Sequence, residues 1–452
     1  MRRRTFLKAA GVSTAATLVP RVVLGGADRT PPSDRLNIGG IGVGGVGHPF
    51  INACAEKNPI IALCDVDDQY ADHTYKRYPQ ARRYRHYQEM LDREDGLDAV
   101  LVATPDHTHA VITMAAIRKG RHVCTVKPLT RTVWEARQLA QAAREHKVAT
   151  QMTAASNADS QSCRVCEWVW DGAIGDVHEV HAWSNRPLWP QGMMRPEGSD
   201  PVPDHLDWDL WIGPAPMRPF KARWPDGHLV LEQQLNSGAG PAVYHPWNFR
   251  GWWDFGTGSL GDMGCHHFNV VMRALKLTHP TRVYASSTKV LEETAPLASM
   301  VTWEFAAREG MGPVRLLWYD GGLKPPRPRE LEAGRAWPDE GTLLVGDRGK
   351  LLISWGSTRL IPESKMKAYK QPPPTLPRRE NIWEEWFDAI RGGPAASCNF
   401  DVAAPLTEWV LLGNIAIRTG KELAWDGQAM TFTNAPEGNT LLKEPYREGR
   451  AL

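Results

Sequence analysis

The chain is poor in cysteine, and its charge favours neither sign. Seven cysteines scattered over 452 residues cannot supply the framework of a small disulfide-stapled scaffold. A net charge of +2, with no long block of like residues, gives no basic face on which a nucleic acid would be held. A comfortable membrane span is missing too, since the apolar run Ala9 to Leu24 is short and rich in small residues. Metal-ligand spacing is also absent. Cys163 and Cys166 form a C-x-x-C with no second Cys or His pair nearby, and Cys265-His266-His267 has no matching ligand group elsewhere. No metal is therefore expected, and the two helical cysteines read as core. What remains is a chain 42% hydrophobic, enough to bury a large core, with a length that suggests two domains or one large one. Nineteen tryptophans are many for this length; core packing accounts for many, and some are expected to line a cleft or a subunit contact.

The first residues read as an address. Arg3-Arg4-Thr5-Phe6-Leu7-Lys8 is a twin-arginine pattern, followed by the apolar run and by Gly25-Gly26-Ala27. This order marks a Tat export signal, with Pro31-Pro32-Ser33 as the linker. Residues 1–33 are set aside from the fold on that ground. The Tat machinery is an expected partner, and the mature chain is expected in the periplasm or otherwise outside the cytoplasm.

The strongest internal signal is Gly42-Val43-Gly44-Gly45-Val46-Gly47. It follows the apolar run Leu36 to Ile41, and a second run, Pro59 to Cys64, ends on Asp65. Gly42, Gly44 and Gly47 have the G-x-G-x-x-G spacing of a dinucleotide site, with the acid about 20 residues on. Gly42 permits a tight turn, Gly44 lets backbone approach a pyrophosphate, and Gly47 lets helix pack on strand. The helix that follows points its N-terminal N–H groups at phosphate. Asp65 would accept the hydroxyls of the adenosine ribose and repel a 2′-phosphate, so NAD is favoured over NADP. NAD is scarce outside the cytoplasm, so an exported protein must hold it tightly.

Downstream, Leu97 to Ala103 reads as a buried strand ending in Thr104-Pro105-Asp106-His107-Thr108-His109. A helix Ala110 to Lys119, a strand His122 to Cys124 leading into Lys127-Pro128, a helix Thr132 to Glu145 and a strand Val148 to Met152 follow. This alternation predicts an α/β fold whose first domain, 34–155, is a parallel Rossmann sheet. Ligands bind beyond the C-terminal strand ends, where Thr104 to His109 and Lys127 fall. From residue 156 the texture changes. Val177 to Trp183, Thr281 to Val290, Ser299 to Phe305 and Val314 to Tyr319 have period-2 character. They predict a second α/β domain, 156–452, with a large open, mostly antiparallel sheet. The Trp-, Pro- and Gly-rich stretch Asn185 to Thr257 has the length of a lid or partner-binding element. Amphipathic helices are expected at Asn381 to Arg391 and Ala404 to Thr419.

The second chemical signal is Gly256 to His267. Small and hydroxyl residues start a helix there, with Thr257 or Ser259 as candidate caps. Asp262 and His266, four apart, share a face, and an acid beside an imidazole suits proton transfer at a substrate hydroxyl. Together with the glycine turn, Ala103 to His109 and Lys127-Pro128, this pattern resembles the Gfo/Idh/MocA family, the glucose–fructose oxidoreductase and inositol dehydrogenase group. Leu206 to Pro216, Arg250 to Gly256 and Pro405 to Asn414 are similar to an exported subgroup of it. The resemblance implies that Lys127 is the catalytic lysine, His266 a second acid/base and Asp262 a residue that orients substrate hydroxyls. It also implies that Thr104, Pro105 and His107 line the cofactor cleft. Arg186, Trp189, Tyr244, His245 and Trp247 are candidate sugar contacts. The chain departs from the family pattern at Val126 in place of Glu, at Ala155 and Asn157 in place of Gln and His, and at Asn269 in place of Asp. The implied activity is NAD(P)-dependent hydride transfer at a hydroxyl-bearing carbon of a sugar, cyclitol or glycoside. Alternatives are an NAD-dependent glycosidase that oxidises, eliminates and re-reduces, and a non-catalytic sugar-binding homologue. A homodimer or homotetramer is expected from the open sheet.

Overall fold

Residues 34–154, 156–232 and 240–452 are described by a computed structural model. Residues 1–33, read above as an export signal and linker, and Ala155 lie outside the described residues. Strands β1 (Ile38–Ile41), β2 (Ile60–Cys64), β3 (Arg82–Tyr84), β4 (Ala99–Val102), β5 (His122–Val126) and β6 (Thr150–Thr153) pair in the order β3-β2-β1-β4-β5-β6. Every pair is parallel. All residues of β1 and β4 are buried, as central parallel strands covered on both faces must be. The strand order reverses between β1 and β4, which opens a crevice at their C-terminal ends. Helix Val133–His146 starts on a capping box in which Thr132 and Glu135 satisfy each other's backbone N–H groups. The helix expected from Ala110 begins one turn earlier, at Asp106, so Asp106 to His109 form its first turn. Pro105 fixes the entry, and an acid in the first turn is favoured by the positive helix end.

The second sheet has nine strands: β7 (Val177–Trp183), β8 (Arg282–Ser287), β9 (Ser299–Phe305), β10 (Val314–Tyr319), β11 (Gly341–Gly346), β12 (Gly349–Ser354), β13 (Ser357–Ile361), β14 (Leu423–Asp426) and β15 (Thr431–Phe432). Their order is β13-β12-β11-β7-β10-β9-β8-β14-β15. Only the β7–β10 pair is parallel among these described strands. Helices Gly258–Ala274 and Phe400–Thr419 bring the two sheets into one core. Trp303 Nε1 donates to the Trp409 carbonyl at 2.9 Å, and Leu129 N donates to Thr407 Oγ1 at 3.2 Å. Phe400–Thr419 has the length and apolarity to cross a bilayer, yet most of it is buried inside this core.

The stretch between β7 and Gly258–Ala274, which has no sequence periodicity, carries its own small core. Trp208 and Trp211 stack at 4.6 Å, packed with Trp224, Tyr244, Trp252 and Phe255. This unit docks on the end of β2. Asp68 N donates to His205 O at 3.0 Å, and Asp207 N donates to Val66 O at 2.9 Å. The Asp67 carboxylate meets His205 Nδ1 at 2.9 Å and His245 Nε2 at 3.0 Å. The segment is thus a clamp over the crevice, held by backbone pairing and two imidazoles.

Candidate active site

A cleft of about 440 Å³ runs along the C-terminal ends of β1, β2, β4 and β5, roofed by the clamp and by helix Gly258–Ala274. That size and position suit a small-molecule or coenzyme site. At one end stands the glycine turn. Gly42 has φ +79°, and a Cβ on Gly47 would lie 2.0 Å from the Gly42 carbonyl oxygen, so neither position admits a side chain without backbone movement. Asp65 is buried. Its Oδ2 accepts from Val43 N at 2.8 Å and Gly44 N at 2.9 Å, and its Oδ1 accepts from Asp67 N at 3.1 Å. Burial pushes this carboxyl up, against the pull of those N–H donors. The acid at the end of β2 therefore fixes the shape of the turn as well as facing the cleft. Tyr70 lies against Gly44 and Gly45 and also lines the cleft.

Lys127, at the end of β5, occupies the other half. Its Nζ donates to Asp262 Oδ1 at 2.7 Å and to the Asp262 carbonyl at 2.5 Å. Arg250 Nε donates to the same Oδ1 at 3.0 Å. Burial opposes ionisation of Asp262, but Lys127 and Arg250 together hold its carboxyl well below the usual range. Arg250 is itself caged, with its guanidinium 4.1 Å from the Trp247 ring centre and 4.7 Å from that of Phe249. His266, one turn beyond Asp262, is partly open to the cleft. Burial, with the Lys127 ammonium nearby, lowers it to about 3, so the ring is neutral at physiological pH and offers a free lone pair. The cleft therefore presents a cation, a carboxylate and a neutral imidazole side by side.

Thr104 and Pro105 line the cleft, but His107 does not. It is buried, with Nε2 at 2.9 Å from the Trp211 carbonyl and Nδ1 at 3.2 Å from the Phe255 carbonyl, so it fastens the clamp to the Rossmann sheet. Gly44 is covered by Tyr70. Arg186 and His245 reach the cleft, whereas Trp189 and Tyr244 are buried in packing. Thr257 does not cap its helix; its hydroxyl donates to Asp106 Oδ2 at 2.7 Å. Asn157 pairs with Asn269 at 2.8 Å, away from the cleft wall, while Val126 lies on it. Among the described residues no cluster of three His, Cys, Asp or Glu could hold a metal ion.

Sequence reasoning met Arg250 only as the first residue of Arg250 to Gly256, with no role, and did not single out Tyr70 or Trp355; all three are on the cleft wall. Nothing in local spacing marks them: the clamp brings in Arg250, the β12–β13 hairpin brings in Trp355, and Tyr70 comes from the segment that follows β2. His109 enters the sequence pattern only as the last residue of the Ala103 to His109 motif. Its two ring nitrogens lie 2.8 Å from Pro128 O and 2.7 Å from Thr104 O, which ties the ends of β4 and β5 together.

The buried imidazoles carry a stability consequence. Burial lowers His107 to about 3 and His267 to about 4 from 6.5. Below pH 6.5 the unfolded chain binds protons that the native chain refuses, so stability falls as pH drops from about 6.5 toward 4. Each group contributes roughly 2 kcal/mol of loss at pH 5 relative to pH 7. Denaturant midpoints at the two pH values read this out, with a smaller difference in His107→Gln. Equal midpoints at both pH values would refute it.

A glycine turn, an acid at the end of β2 and a lysine at the end of β5, on a parallel sheet of this order, define an NAD-binding oxidoreductase fold. The chain belongs to the Gfo/Idh/MocA family. A family model described as an oxidoreductase family with an NAD-binding Rossmann fold matches residues 36–154, and one for the family's C-terminal alpha/beta domain matches residues 182–306. A glycosyl hydrolase family 109 protein of Shewanella pealeana is 29% identical over 216 residues, covering 42% of this chain and 47% of the relative. The chain thus spans about half the length of the curated relatives it matches. The WlbA dehydrogenase of Bordetella pertussis, solved with NADH and UDP-GlcNAcA, superposes with TM-score 0.58 at 13% identity, over 87% of this chain and 99% of that one. An inositol dehydrogenase homologue of Azotobacter vinelandii, solved with NADH and myo-inositol, gives TM-score 0.55 at 16% identity, over 86% and 98%. At these identities the two structures establish the fold alone.

Proposed function

We propose that this protein is an NAD-dependent oxidoreductase acting at a hydroxyl-bearing ring carbon of a sugar, cyclitol or glycoside. The observation that carries the reading is the Lys127–Asp262–Arg250 cluster, with His266 beside it, facing a cleft whose other end is a glycine turn. The residues fit a dinucleotide: Gly42 and Gly45 leave room for a pyrophosphate, Asp65 faces the ribose end, and Thr104, Pro105 and Val126 line the way to Lys127. Asp65 at the end of β2 favours NAD over NADP, because a carboxylate repels a 2′-phosphate. When bound, the nicotinamide supplies the acceptor for a hydride and can return it. Lys127 hydrogen-bonds the reacting hydroxyl and polarises it. His266 is a weak base at its depressed value, so it receives the hydroxyl proton only as hydride departs and the oxygen becomes a carbonyl, the stage at which that proton is strongly acidic. Asp262 keeps the Lys127 ammonium aimed and is itself held by Arg250.

A second reading is favoured by the glycosyl hydrolase name of the curated relatives. In it the same residues oxidise a glycoside, the resulting ketone acidifies the neighbouring C–H, the glycosidic oxygen leaves, water adds and the carbonyl is reduced again. The net reaction is hydrolysis. One experiment separates the two. Protein isolated with its coenzyme is mixed with free sugars, cyclitols and p-nitrophenyl glycosides, and reduced-nicotinamide absorbance and nitrophenol are followed together. Oxidoreductase action raises the nicotinamide signal; hydrolysis releases nitrophenol with no net signal and no added NAD. Neither change with any compound would overturn both readings.

Export by the Tat route, with assembly as a homodimer or homotetramer, completes the proposal. Export is supported by Arg3-Arg4 and the segment after it, and assembly by the open nine-stranded sheet; fractionation of cells carrying Arg3→Lys/Arg4→Lys, with retention expected inside, tests the export.

A further inference from the structure

Trp355 is unusual in its place. It sits with Gly356 in the two-residue turn between β12 and β13, where Ser354 pairs with Ser357. The turn's special backbone demand falls on Gly356, at φ +71°, and nothing in the turn itself calls for a tryptophan beside it. Here a tryptophan leaves 62% of its surface exposed, yet lines the same cleft as Lys127, Asp262 and His266. The ring is not free to swing. Its Nε1 donates to Glu340 Oε2 at 2.8 Å. Glu340 is fixed in turn, since its Oε1 accepts from Ser184 Oγ at 2.8 Å and from Arg186 Nη1 at 2.7 Å. The indole centre stands 6.0 Å from that of His266, the two rings tilted by 67°. An apolar plane is thus held in water, within about a sugar ring's reach of the proposed acid/base, with a guanidinium and a carboxylate at its edge.

We propose that Trp355 is the stacking residue of this site, the side chain that selects a ring-shaped substrate over an acyclic polyol. The inference rests on the oxidoreductase reading above and adds to it the residue that reads the substrate's ring. A pyranose has one face of C–H groups and a rim of hydroxyls. The indole matches the face, and Arg186 with Glu340 matches the rim, each with a hydrogen-bonding role that an acyclic polyol could also meet. The flat apolar contact is what a chain-like substrate cannot use, because it has no ring face to lay on it. Loss of such a face is expected to weaken binding about tenfold, equivalent to about 1.4 kcal/mol.

The test uses the full coenzyme-loaded protein, with methyl pyranosides of the common hexoses and N-acetylhexosamines as probes and glycerol as the acyclic control. Titration calorimetry gives their affinities for the wild type, Trp355→Phe and Trp355→Ala, and size-exclusion chromatography follows assembly. The expected result is about tenfold weaker pyranoside binding in Trp355→Ala, recovered largely in Trp355→Phe, with bound coenzyme and assembly unchanged. For any compound that is turned over, the loss appears in KM and not in kcat. Unchanged pyranoside affinity in Trp355→Ala overturns the proposal. So does a variant that falls apart into smaller species with its affinity intact, which would make Trp355 a contact between copies of the chain. Either outcome leaves the oxidoreductase reading standing if Lys127→Ala abolishes turnover. Failure of the wild type to bind any pyranoside removes the carbohydrate reading and Trp355 with it.

Discussion

Lys127→Ala is expected to lower kcat/KM by about 10²- to 10³-fold, the range typical of a lost donor to the reacting oxygen. Coenzyme content should stay at the wild-type level. The reason lies in the geometry. Lys127 is the cation at the end of β5, and its Nζ is held by both the side chain and the carbonyl of Asp262. Truncation removes the group that polarises the substrate hydroxyl. It does not strand Asp262, because Arg250 Nε remains at 3.0 Å from the same oxygen. The fold should therefore survive, and the defect should appear in the burst of reduced nicotinamide on mixing with substrate. A variant within threefold of the wild type would remove Lys127 from the chemistry and leave only a structural ion pair.

The second large effect is expected at Asp65. Asp65→Ala deprives Val43 N–H and Gly44 N–H of their shared acceptor and Asp67 N–H of its own. Each buried donor left unpaired costs about 1–3 kcal/mol. The turn so loosened is the one that receives the pyrophosphate, and the carboxylate facing the ribose is lost as well. NAD affinity should fall by about 10²-fold or more, equivalent to at least about 2.7 kcal/mol. Coenzyme released from equal amounts of denatured wild type and variant, after gel filtration, gives the comparison. Full occupancy in the variant would mean that Asp65 neither shapes the turn nor meets the coenzyme.

Much of the first sheet was legible because fully buried parallel strands leave unbroken apolar runs. Four of those runs lead into residues with distinct roles in the cleft, namely Gly42, Asp65, Thr104 and Lys127. β7, β9 and β10 stood out by alternation, and their bounds agree with the structure. β11 and β12 escaped because Thr342 to Val345 and Lys350 to Ile353 do not alternate; their place is set by pairing with β7 and with each other. The clamp was legible only as a long stretch of lid-like length, and its internal order was not. Its order comes from ring packing among Trp208, Trp211, Tyr244 and Trp252, which has no sequence period. The same holds for the site. Asp262 and His266 were visible together because a helix brings i and i+4 to one face. Arg250, only 12 residues before Asp262, reaches the same carboxylate through a loop whose course no local rule gives. His107 looked like a cleft residue from its motif, but the clamp that covers it turns it into a fastening between two parts of the chain.

Where a dinucleotide lies in the cleft decides between this chemistry and any other. A crystal structure of the protein with NAD bound measures it. The pyrophosphate is expected at Gly42 to Gly45, the adenosine ribose by Asp65 and the nicotinamide ring beside Lys127 and His266. A coenzyme bound elsewhere, or turned so that adenine takes the place beside Lys127, would contradict the proposed function at its root.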